Sequence, residues 1–328
     1  MTPFVSVIIP CRNEEKYIGQ CLDSVIAQDF PKENLEVLVI DGTSGDKTKE
    51  VVKKYSDKHS FVKVLDNPQK FIPFALNIGI KNAKGEIIIR LDAHASYGKD
   101  YISKSLKYLT EYNADNVGGI IKTLPAKATL TAKSIAFCLS SFFGVGNSFF
   151  RRGSEKPREA DTVLGGCYKK EIFEKIGLFN EKLLRSEDIE LNKRLRKAGG
   201  KIILVPDIVA FYYPQADFKS FLRHNFTDGI WATYPLKFGV KIFSFRHLIP
   251  LFFVLGFLAG LILGLFSLWG KVIFVVIFGI YLLLSLFFSL KPAVKDDPRY
   301  LFSLPIAFFS RHFGYGLGSL WGLVKIII

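Results

Sequence analysis

Cysteine and methionine are scarce in this chain, and no internal repeat or low-complexity segment is evident. The 328 residues include four cysteines and one methionine. Cys11, Cys21, Cys138 and Cys167 have neither metal-ligand spacing nor the density of a disulfide framework, so we expect reduced thiols. No basic, apolar and small-residue succession typical of a secretory signal precedes the first apolar run, residues 5–9. We therefore expect the polar part of the chain to lie in a reducing compartment.

Acidic residues are fewer than basic ones. Lys and Arg number 44 against 30 Asp and Glu, which gives a formal net charge of +14. Such a charge fits nucleic acid, anionic lipid or a polyphosphate ligand. The sequence shows no recognisable nucleic-acid-binding motif and its last third is apolar, so we expect a membrane surface and no nucleic acid.

Two uncharged apolar segments, residues 248–269 and 272–290, are each long enough to cross the hydrocarbon core of a bilayer. The short spacer Gly270-Lys271 predicts a helical hairpin, which returns the chain to the side it left. Basic residues flank this hairpin: Lys241 and Arg246 before it, and Lys291, Lys295 and Arg299 after it. The positive-inside rule assigns that side to the cytoplasm, so we expect an integral membrane protein with a cytoplasmic catalytic domain.

A third apolar segment, residues 300–328, is interrupted by Pro305 and by the pair Arg311-His312. Charged residues are costly in a bilayer, and a re-entrant or interfacial helix avoids part of that cost. Two interpretations stay open: the segment spans the membrane, or it lies at or partly within it.

These patterns predict two domains, a polar one over residues 1–245 and a membrane domain over residues 246–328. Within the first, residues 132–150 are rich in Phe and are followed by Arg151-Arg152, and residues 217–245 contain both aromatic and basic residues. Such segments are typical of amphipathic helices at a membrane surface, although residues 132–150 also fit a buried core helix.

Short apolar runs rich in β-branched residues alternate with stretches of helical spacing in the polar domain. The runs are residues 5–10, 35–41, 61–67, 86–94, 116–124 and 201–207. This alternation predicts an α/β fold, a largely parallel sheet with helices on both faces. Ligands of such sheets bind at the carboxyl ends of the strands, so we expect the site among the polar residues that end these runs.

Four sequence blocks follow one another in a fixed order: VSVIIPCRNEEKYIGQCLDSV, VLVIDGTSGDKTKE, NIGIKNAKGEIIIRLDAHA and SEDIELNKRLRKAG. Together they resemble the family-2 inverting glycosyltransferases of the GT-A fold, a Rossmann-like architecture. The stretches RLDAHASY and FFGVGNSFFRR are most similar to membrane-anchored succinoglycan-type and archaeal lipid-linked-glycan transferases. The resemblance covers about residues 4–210. It implies a hexosyltransferase that takes a nucleotide-sugar donor and a lipid-linked or glycolipid acceptor.

The resemblance implies that the loop after the first strand and the acid after the second hold the nucleotide. The corresponding residues are Pro10, Arg12, Asn13, Glu14 and Asp41, with Arg90 as a further candidate. A carboxylate such as Asp41 can accept hydrogen bonds from ribose hydroxyls or base N–H groups. Taken alone, Asp41-Gly42-Thr43 indicates a simple turn. Gly42 stands where many relatives carry a second Asp, and Arg90 could pair with a carboxylate instead of a phosphate.

The family's Asp-x-Asp metal motif corresponds to Asp92-Ala93-His94. Alternation along an extended segment predicts that Asp92 and His94 face the same side and one ion, which would bridge the donor's diphosphate. A carboxylate suits Mg²⁺ or Mn²⁺, and an imidazole shifts the preference toward Mn²⁺. His94 could instead be a buried residue that ends the strand.

Ser186-Glu187-Asp188 precedes a helical pattern and is typical of a helix start, where acidic residues are favoured. The resemblance implies that the acid pair supplies the catalytic base, with Asp188 as the first candidate and Glu187 as the alternative. It also implies a flexible loop near the donor sugar and the acceptor, at Gly165, Gly166 and Cys167.

The Gln-x-x-Arg-Trp acceptor motif of many membrane synthases is not reproduced. The corresponding region contains Arg223 and His224, and Trp231 is displaced downstream. Arg223 or His224 could contact the diphosphate or the metal, or could be solvated residues of an interface helix. Processive polysaccharide synthesis is correspondingly less favoured.

We expect a single in-line displacement with inversion, in which Asp188 takes the proton of an acceptor hydroxyl. The alternatives are a polyprenyl-phosphate sugar synthase, whose phosphate acceptor needs no base, and a non-catalytic membrane scaffold that binds nucleotide-sugar. Abundant Lys and Ile with few Gln and Met are typical of thermophile proteins. With the archaeal resemblance, this favours GDP-mannose over UDP-glucose and hence a mannosyltransferase.

Overall fold

The computed structural model describes residues 2–243 and 245–328. The strands are β1 (Val5–Cys11), β2 (Leu35–Asp41), β3 (Val62–Asp66), β4 (Ile87–Arg90), β5 (Ala95–Tyr97), β6 (Asn116–Thr123), β7 (Arg158–Glu159), β8 (Leu164–Lys169) and β9 (Ile202–Tyr212). The helices are α1 (Ile18–Ile26), α2 (Thr48–Lys58), α3 (Ile72–Asn82), α4 (Tyr101–Glu111), α5 (Leu130–Ser140), α6 (Phe142–Val145), α7 (Phe149–Arg152), α8 (Glu171–Ile176), α9 (Glu187–Lys197), α10 (Phe218–Thr233), α11 (Phe245–Gly264), α12 (Leu268–Lys295) and α13 (Tyr300–Ile327).

The chain forms two compact units. Unit 1 contains the residues up to Lys122 together with Phe149–Tyr212, and unit 2 contains Thr123–Ser148 and Tyr213–Ile328. The chain therefore enters unit 2 twice. The predicted division into residues 1–245 and 246–328 concerns the solvent around each part, which compactness does not test, so it stays a prediction.

Unit 1 is built on a mixed sheet with the strand order β3-β2-β1-β4-β8-β6-β9-β5, and β7 pairs with β9. Strands β3, β2, β1 and β4 are parallel to one another. Strand β8 is antiparallel to β4 and β6, and β5 and β7 are antiparallel to β9. Each apolar run predicted from the sequence contains a strand, so the predicted alternation is confirmed.

Helices cover both faces of this sheet, as alternate residues of β1 show. Val7 and Ile9 belong to one apolar core with Leu22 of α1. Ile8 belongs to a second core, on the other face, with Leu76 of α3. Because successive strand residues point to opposite faces, a strand buried on both sides is mainly apolar, and the one hydroxyl of β1, on Ser6, donates to Glu36 Oε1 at 2.7 Å.

Strand β8 lies where the sequence predicts a flexible loop. Gly165, Gly166 and Cys167 are within this strand, and Cys167 is buried. A Cβ atom on Gly166 would lie 2.5 Å from the ring of Tyr168 and 2.7 Å from Asn116 Oδ1. Close packing, and not mobility, therefore requires glycine at Gly166. The predicted loop is wrong, while a role of these residues near the acceptor stays a prediction.

Unit 2 is helical, and small residues let its helices approach closely. A Cβ atom on Gly318 of α13 would lie 1.9 Å from the carbonyl oxygen of Phe226 in α10. A Cβ atom on Gly229 of α10 would lie 2.0 Å from the carbonyl oxygen of Tyr315. The hydroxyl of Thr233 donates to the Ser319 carbonyl at 2.7 Å, which links the same two helices. Helices α10 and α13 thus pack backbone against backbone.

Helices α11 and α12 are, within residues 2–243 and 245–328, the two that are long and apolar enough to cross a membrane. Their ends differ by three to five residues from the ends of the predicted segments. The first helix already ends at Gly264 and the second already begins at Leu268. The predicted turn at Gly270-Lys271 is therefore misplaced. Ser267 caps α12 by accepting the N–H of Gly270 at 3.0 Å, and this cap sets the turn.

The third apolar segment forms the continuous helix α13, with Pro305 inside it. The polar pair that interrupts its sequence contacts protein groups of unit 2. Arg311 donates to Asn225 Oδ1, and His312 Nε2 donates to the Phe143 carbonyl at 2.9 Å. The structure does not test whether this helix spans a membrane.

The predicted interface segments are helical as well. Residues 132–148 lie largely in α5 and α6, and residues 217–245 include α10 and the 3₁₀ helix Tyr234–Phe238. Their place at a membrane surface remains an expectation.

The packing of α10 on α13 gives a test of stability. Gly318→Ala should destabilise the protein by about 1–3 kcal/mol, because the added methyl group collides with the backbone of Phe226. The matched control is Gly279→Ala in α12, where a Cβ atom meets nothing within 4 Å. The control should be neutral or slightly stabilising, since Ala favours helix over Gly. Thermal unfolding of the full chain in detergent measures both, and equal effects would contradict the close packing.

Candidate active site

Three polar loops meet at one edge of the sheet because the strands before them are parallel neighbours. Cys11 at the end of β1 lies opposite Asp41 at the end of β2. Ile8 of β1 lies opposite Arg90 at the end of β4. The carboxyl ends of β1, β2 and β4 are therefore adjacent, which is where ligands of such sheets bind.

Hydrogen bonds from backbone N–H groups to side-chain oxygens join the loop after β1 to the loop after β2. The Asn13 N–H donates to Ser44 Oγ at 2.9 Å, and the Gly45 N–H donates to Asn13 Oδ1 at 2.9 Å. The Glu14 N–H donates to Thr48 Oγ1 at 2.7 Å. The predicted nucleotide residues Asn13 and Glu14 thus lie in a preorganised loop.

Asp41 ends β2 at the edge of the sheet where ligands are expected, and its carboxylate also stabilises the turn that follows it. It is 2 % exposed, and it accepts the Ser44 hydroxyl at 2.6 Å and the Ser44 N–H at 3.1 Å. Pro10 is a buried residue of β1 itself. The side chain of Arg12 lies across Gly42, since a Cβ atom there would be 3.2 Å from Arg12 Cβ. An arginine therefore covers the position at which relatives carry a second Asp.

Asp92 and His94 lie in a turn and not in an extended strand. Strand β4 ends at Arg90, and the Ala95 N–H donates to the Asp92 carbonyl at 3.3 Å. The predicted alternation along an extended segment is therefore wrong. His94 Nδ1 donates to Glu14 Oε1 at 3.2 Å. Burial acts to lower the pKa of His94, but this hydrogen bond and the nearby Asp92 charge outweigh it, and the pKa is raised.

The residues at this turn fit a metal ion that is shared with a ligand. In the part of the chain that the structure describes, no group of three or more His, Cys, Asp or Glu side chains could hold a metal alone. Asp92 and His94 can supply two ligands, and the side chain of Asp92 is 22 % exposed. Mg²⁺ in proteins is commonly held by one or two carboxylates, substrate phosphates and water, and this limited donor set matches that pattern.

Arg90 is surrounded by three carboxylates. Its Nη2 lies 3.0 Å from Glu187 Oε1 and 3.4 Å from Asp92 Oδ1, and its Nη1 lies 3.9 Å from Asp188 Oδ2. Burial acts to lower the pKa of Arg90, but the three carboxylates raise it well above its ordinary value. Of the two interpretations of Arg90, the structure shows the pairing with carboxylates. Arg90 therefore links β4 to α9, and its contact with the nucleotide stays a prediction.

Glu187 and Asp188 stand at the N-terminus of α9 in different surroundings. The side chain of Glu187 is 4 % exposed and that of Asp188 is 28 % exposed. Asp188 Oδ1 accepts the N–H of Ile189 at 2.8 Å. Ser186, just before them, has a φ of 60°, a left-handed conformation that is costly for a non-glycine residue. Of the two acids, Asp188 is the one that a substrate can reach.

A buried polar network that the sequence reasoning missed holds α9 on the sheet. Asn192 lies one turn after Asp188 and is fully buried. Its Oδ1 accepts Asn116 Nδ2 at 2.9 Å and the Tyr168 hydroxyl at 3.2 Å. Its Nδ2 donates to Thr162 Oγ1 at 3.0 Å. An asparagine on the same helix face as the acid pair was the signal that could have revealed it.

The candidates for acceptor contact belong to unit 2. Arg223, His224 and Trp231 lie on α10. His224 Nε2 lies 3.4 Å from Asp228 Oδ2, and the Trp231 ring packs edge-on against Tyr234 at 5.6 Å. Their contact with a diphosphate or a metal stays a prediction.

Known proteins resemble the chain in sequence. The family described as Glycosyl transferase family 2 matches residues 6–177. A dolichyl N-acetyl-α-D-glucosaminyl phosphate 3-β-D-2,3-diacetamido-2,3-dideoxy-β-D-glucuronosyltransferase of Methanococcus voltae is 32 % identical, over 98 % of both chains. The succinoglycan biosynthesis protein ExoA of Rhizobium meliloti is 28 % identical, over 72 % of this chain and 77 % of its own.

A solved structure resembles the chain in fold. It is the mannosyltransferase PcManGT from Pyrobaculum calidifontis in complex with GDP-Man and Mn²⁺, with a TM-score of 0.62 over 98 % of this chain and 88 % of that one. Sequence identity is 17 %, so the likeness concerns the fold alone.

The burial of Glu187 gives a test by pH. Burial raises its pKa from 4.5 to about 7, Arg90 opposes this and Asp188 adds to it. The folded chain then binds more protons than the unfolded chain between these values, so stability should fall as pH rises from about 4.5 through about 7 and level off above. Glu187→Gln should flatten this fall in thermal unfolding. The exposed Glu171→Gln is the control, and a parallel curve for both variants would contradict a raised pKa at Glu187.

Proposed function

The chain belongs to glycosyl transferase family 2, and from this premise we propose that it transfers a hexose, with inversion, from a nucleotide-sugar to a hydroxyl of a lipid-linked or glycolipid acceptor. The chain has the GT-A fold, whose family members are glycosyltransferases. The observation that carries the proposal is the cluster of Arg90 with Asp92, Glu187 and Asp188. In this proposal Asp92 serves the leaving diphosphate through a metal ion, Asp188 is the base for the acceptor, and both lie in one site.

Asp188 is the base in this proposal. A sugar hydroxyl is a poor nucleophile, and a carboxylate that removes its proton during attack strengthens it. Asp188 is accessible and fixed at the start of α9, while Glu187 is buried and bonded to Arg90. Arg90 Nη2 lies 3.0 Å from Glu187 Oε1 and its Nη1 lies 3.9 Å from Asp188 Oδ2, so the same guanidinium positions both acids.

Asp92, with His94 beside it, would hold Mn²⁺ or Mg²⁺ together with the donor's diphosphate. The metal, when bound, neutralises charge that develops on the departing nucleoside diphosphate. The protein positions Asp92 by ending β4 two residues earlier and by folding the chain into a turn.

The donor we favour is GDP-mannose over UDP-glucose. The support within unit 1 is Arg12, whose side chain covers Gly42 beside Asp41. A guanidinium carries only hydrogen-bond donors, which match the O6 and N7 acceptors of guanine. A panel of donors incubated with membrane lipid extract, with products separated by thin-layer chromatography, tests this preference, and transfer from UDP-glucose alone would overturn it.

The acceptor we propose is carried by a lipid at the cytoplasmic face of a membrane. The Methanococcus relative is named for action on a dolichyl-linked sugar phosphate. In this chain, helices α11 and α12 expose large apolar side chains such as Trp269, Val275 and Phe287, which suit a bilayer and not water. The basic residues that flank the two helices favour the cytoplasmic side.

Replacing the base separates the leading proposal from its alternative. Asp188→Asn keeps the shape of the side chain and removes its basicity, so transfer should fall by roughly 10²–10⁴-fold while donor affinity changes little. A lipid phosphate acceptor, already ionised, would make the loss far smaller and would favour a polyprenyl-phosphate sugar synthase. Glu171→Gln, an exposed acid in the first turn of α8, should leave transfer unchanged. Near-normal transfer by the Asn variant would remove Asp188 as the base.

Replacing the carboxylate at the turn tests the metal. Asp92→Ala should make donor affinity independent of Mn²⁺, because the carboxylate that faces the diphosphate is lost. His94→Ala should cause a smaller loss and move the preference from Mn²⁺ toward Mg²⁺. Calorimetric titration of the donor with and without each metal measures this. Unchanged metal dependence in the Asp92 variant would exclude Asp92 from the site.

A further inference from the structure

A single tyrosine hydroxyl contacts both backbone groups of the proposed metal ligand. Tyr97 ends β5, five residues after Asp92. Its hydroxyl oxygen accepts the Asp92 N–H at 2.7 Å, and the hydroxyl donates to the Asp92 carbonyl at 3.1 Å. The residue is 5 % exposed, so these bonds are shielded from water. Tyr97 thereby fixes the peptide groups on either side of the Asp92 Cα atom.

The two backbone groups of Asp92 depend on Tyr97 to different degrees. The carbonyl also accepts the Ala95 N–H at 3.3 Å and the Cys21 thiol at 3.6 Å. For the N–H, Tyr97 Oη is the acceptor that the described residues provide. Loss of the hydroxyl would thus leave the carbonyl bonded and the N–H without its partner, and a buried unpaired N–H is unfavourable. The peptide before Asp92 would then be free to rotate.

The ring of Tyr97 is itself held firmly. It packs edge-on against Tyr101 at 4.9 Å between ring centroids. The Tyr97 N–H donates to Ser24 Oγ at 3.1 Å, and the residue pairs with Ala210 across β5 and β9. The hydroxyl is therefore held in one position, and it fixes the backbone from which the Asp92 carboxylate projects.

We propose that Tyr97 is a positioning residue for the divalent cation: its hydroxyl orients Asp92 so that the carboxylate meets the ion that the donor's diphosphate brings. The inference rests on the proposed function of Asp92. Tyr97 does not touch the metal or the donor in this proposal, and acts through the peptide of Asp92. Such outer partners of metal ligands typically contribute 10–100-fold to metal affinity.

The matched pair Tyr97→Phe and Tyr101→Phe tests the proposal in the full-length protein. Both residues are buried, and the Tyr101 hydroxyl also bonds a backbone carbonyl, that of Gly165, at 2.9 Å. Each variant loses one buried hydrogen-bonding hydroxyl, but only the first loses a contact with Asp92. Binding of Mn²⁺ in the presence of GDP, and in parallel of UDP, is followed by the electron paramagnetic resonance of free Mn²⁺. Thermal unfolding is recorded without metal.

We expect Tyr97→Phe to weaken Mn²⁺ binding by about 10–100-fold and Tyr101→Phe to leave it unchanged, although both variants lose thermal stability. Transfer by Tyr97→Phe should recover toward the wild-type rate at high Mn²⁺, because the ion and not the base is affected. Ser24→Ala, which removes the acceptor of the Tyr97 N–H, is a milder second variant. It should weaken Mn²⁺ binding in the same direction by a smaller factor.

Equal Mn²⁺ affinity in the wild type, Tyr97→Phe and Ser24→Ala would overturn the proposal and leave Tyr97 a structural residue. Asp92→Ala separates this failure from that of the proposed function. If Asp92→Ala abolishes Mn²⁺ binding while Tyr97→Phe does not change it, only the positioning role is wrong. If the wild type binds no Mn²⁺ with either nucleotide, the metal site and the positioning role are both wrong.

Discussion

The attraction of one guanidinium to three carboxylates is the interaction on which the site depends. Arg90 ends β4, Asp92 follows it in the next turn, and Glu187 and Asp188 begin α9. A buried carboxylate without a partner is strongly unfavourable, so α9 can bring its acids to the sheet only where Arg90 meets them. Above a pH of about 7, where Glu187 is ionised as well, one positive and three negative charges sum to −2. The residual charge favours a divalent cation beside Asp92, so the proposed base and the proposed metal ligand are compatible in one site.

This electrostatic link needs mechanical support, because Arg90 alone would not fix the orientation of α9. Asn192 supplies it one turn further along, through bonds to groups of β6 and β8 and to Thr162. Strain is concentrated at the same edge: Asn13, Thr43 and Ser186 have φ values of 57°, 56° and 60°. Such conformations persist only where surrounding contacts determine them. The loops are therefore held in place before any ligand binds, which lowers the cost of ordering them on binding.

Local sequence patterns predicted the parts of the fold that depend on the polarity of neighbouring residues. The run at residues 35–41 coincides with β2, because a strand buried on both faces is mainly apolar. Sequence patterns failed where the structure depends on one contact or on residues that are distant in the sequence. Arg90 and Glu187 are 97 positions apart, and no periodicity couples them. Strand β8 stands where the family resemblance implies a loop, and the close packing that requires Gly166 involves Asn116, a residue distant in the sequence. Apolar patterns also do not reveal the bond from the Asp92 N–H to the Tyr97 hydroxyl or the serine cap at the α11–α12 turn.

The same rule, that polar groups in apolar surroundings fix the register of their neighbours, extends to unit 2. His312 of α13 donates from Nε2 to the Phe143 carbonyl, and its Nδ1 is hydrogen-bonded to the Tyr281 hydroxyl at 2.9 Å. Arg311 donates to Asn225 of α10. These contacts tie α13 to α6, α12 and α10 at defined positions, where apolar packing alone would tolerate sliding. The polar pair that interrupts the apolar sequence of α13 is therefore committed to protein partners. In both units, the residues that break the apolar pattern are the ones that determine how its elements pack.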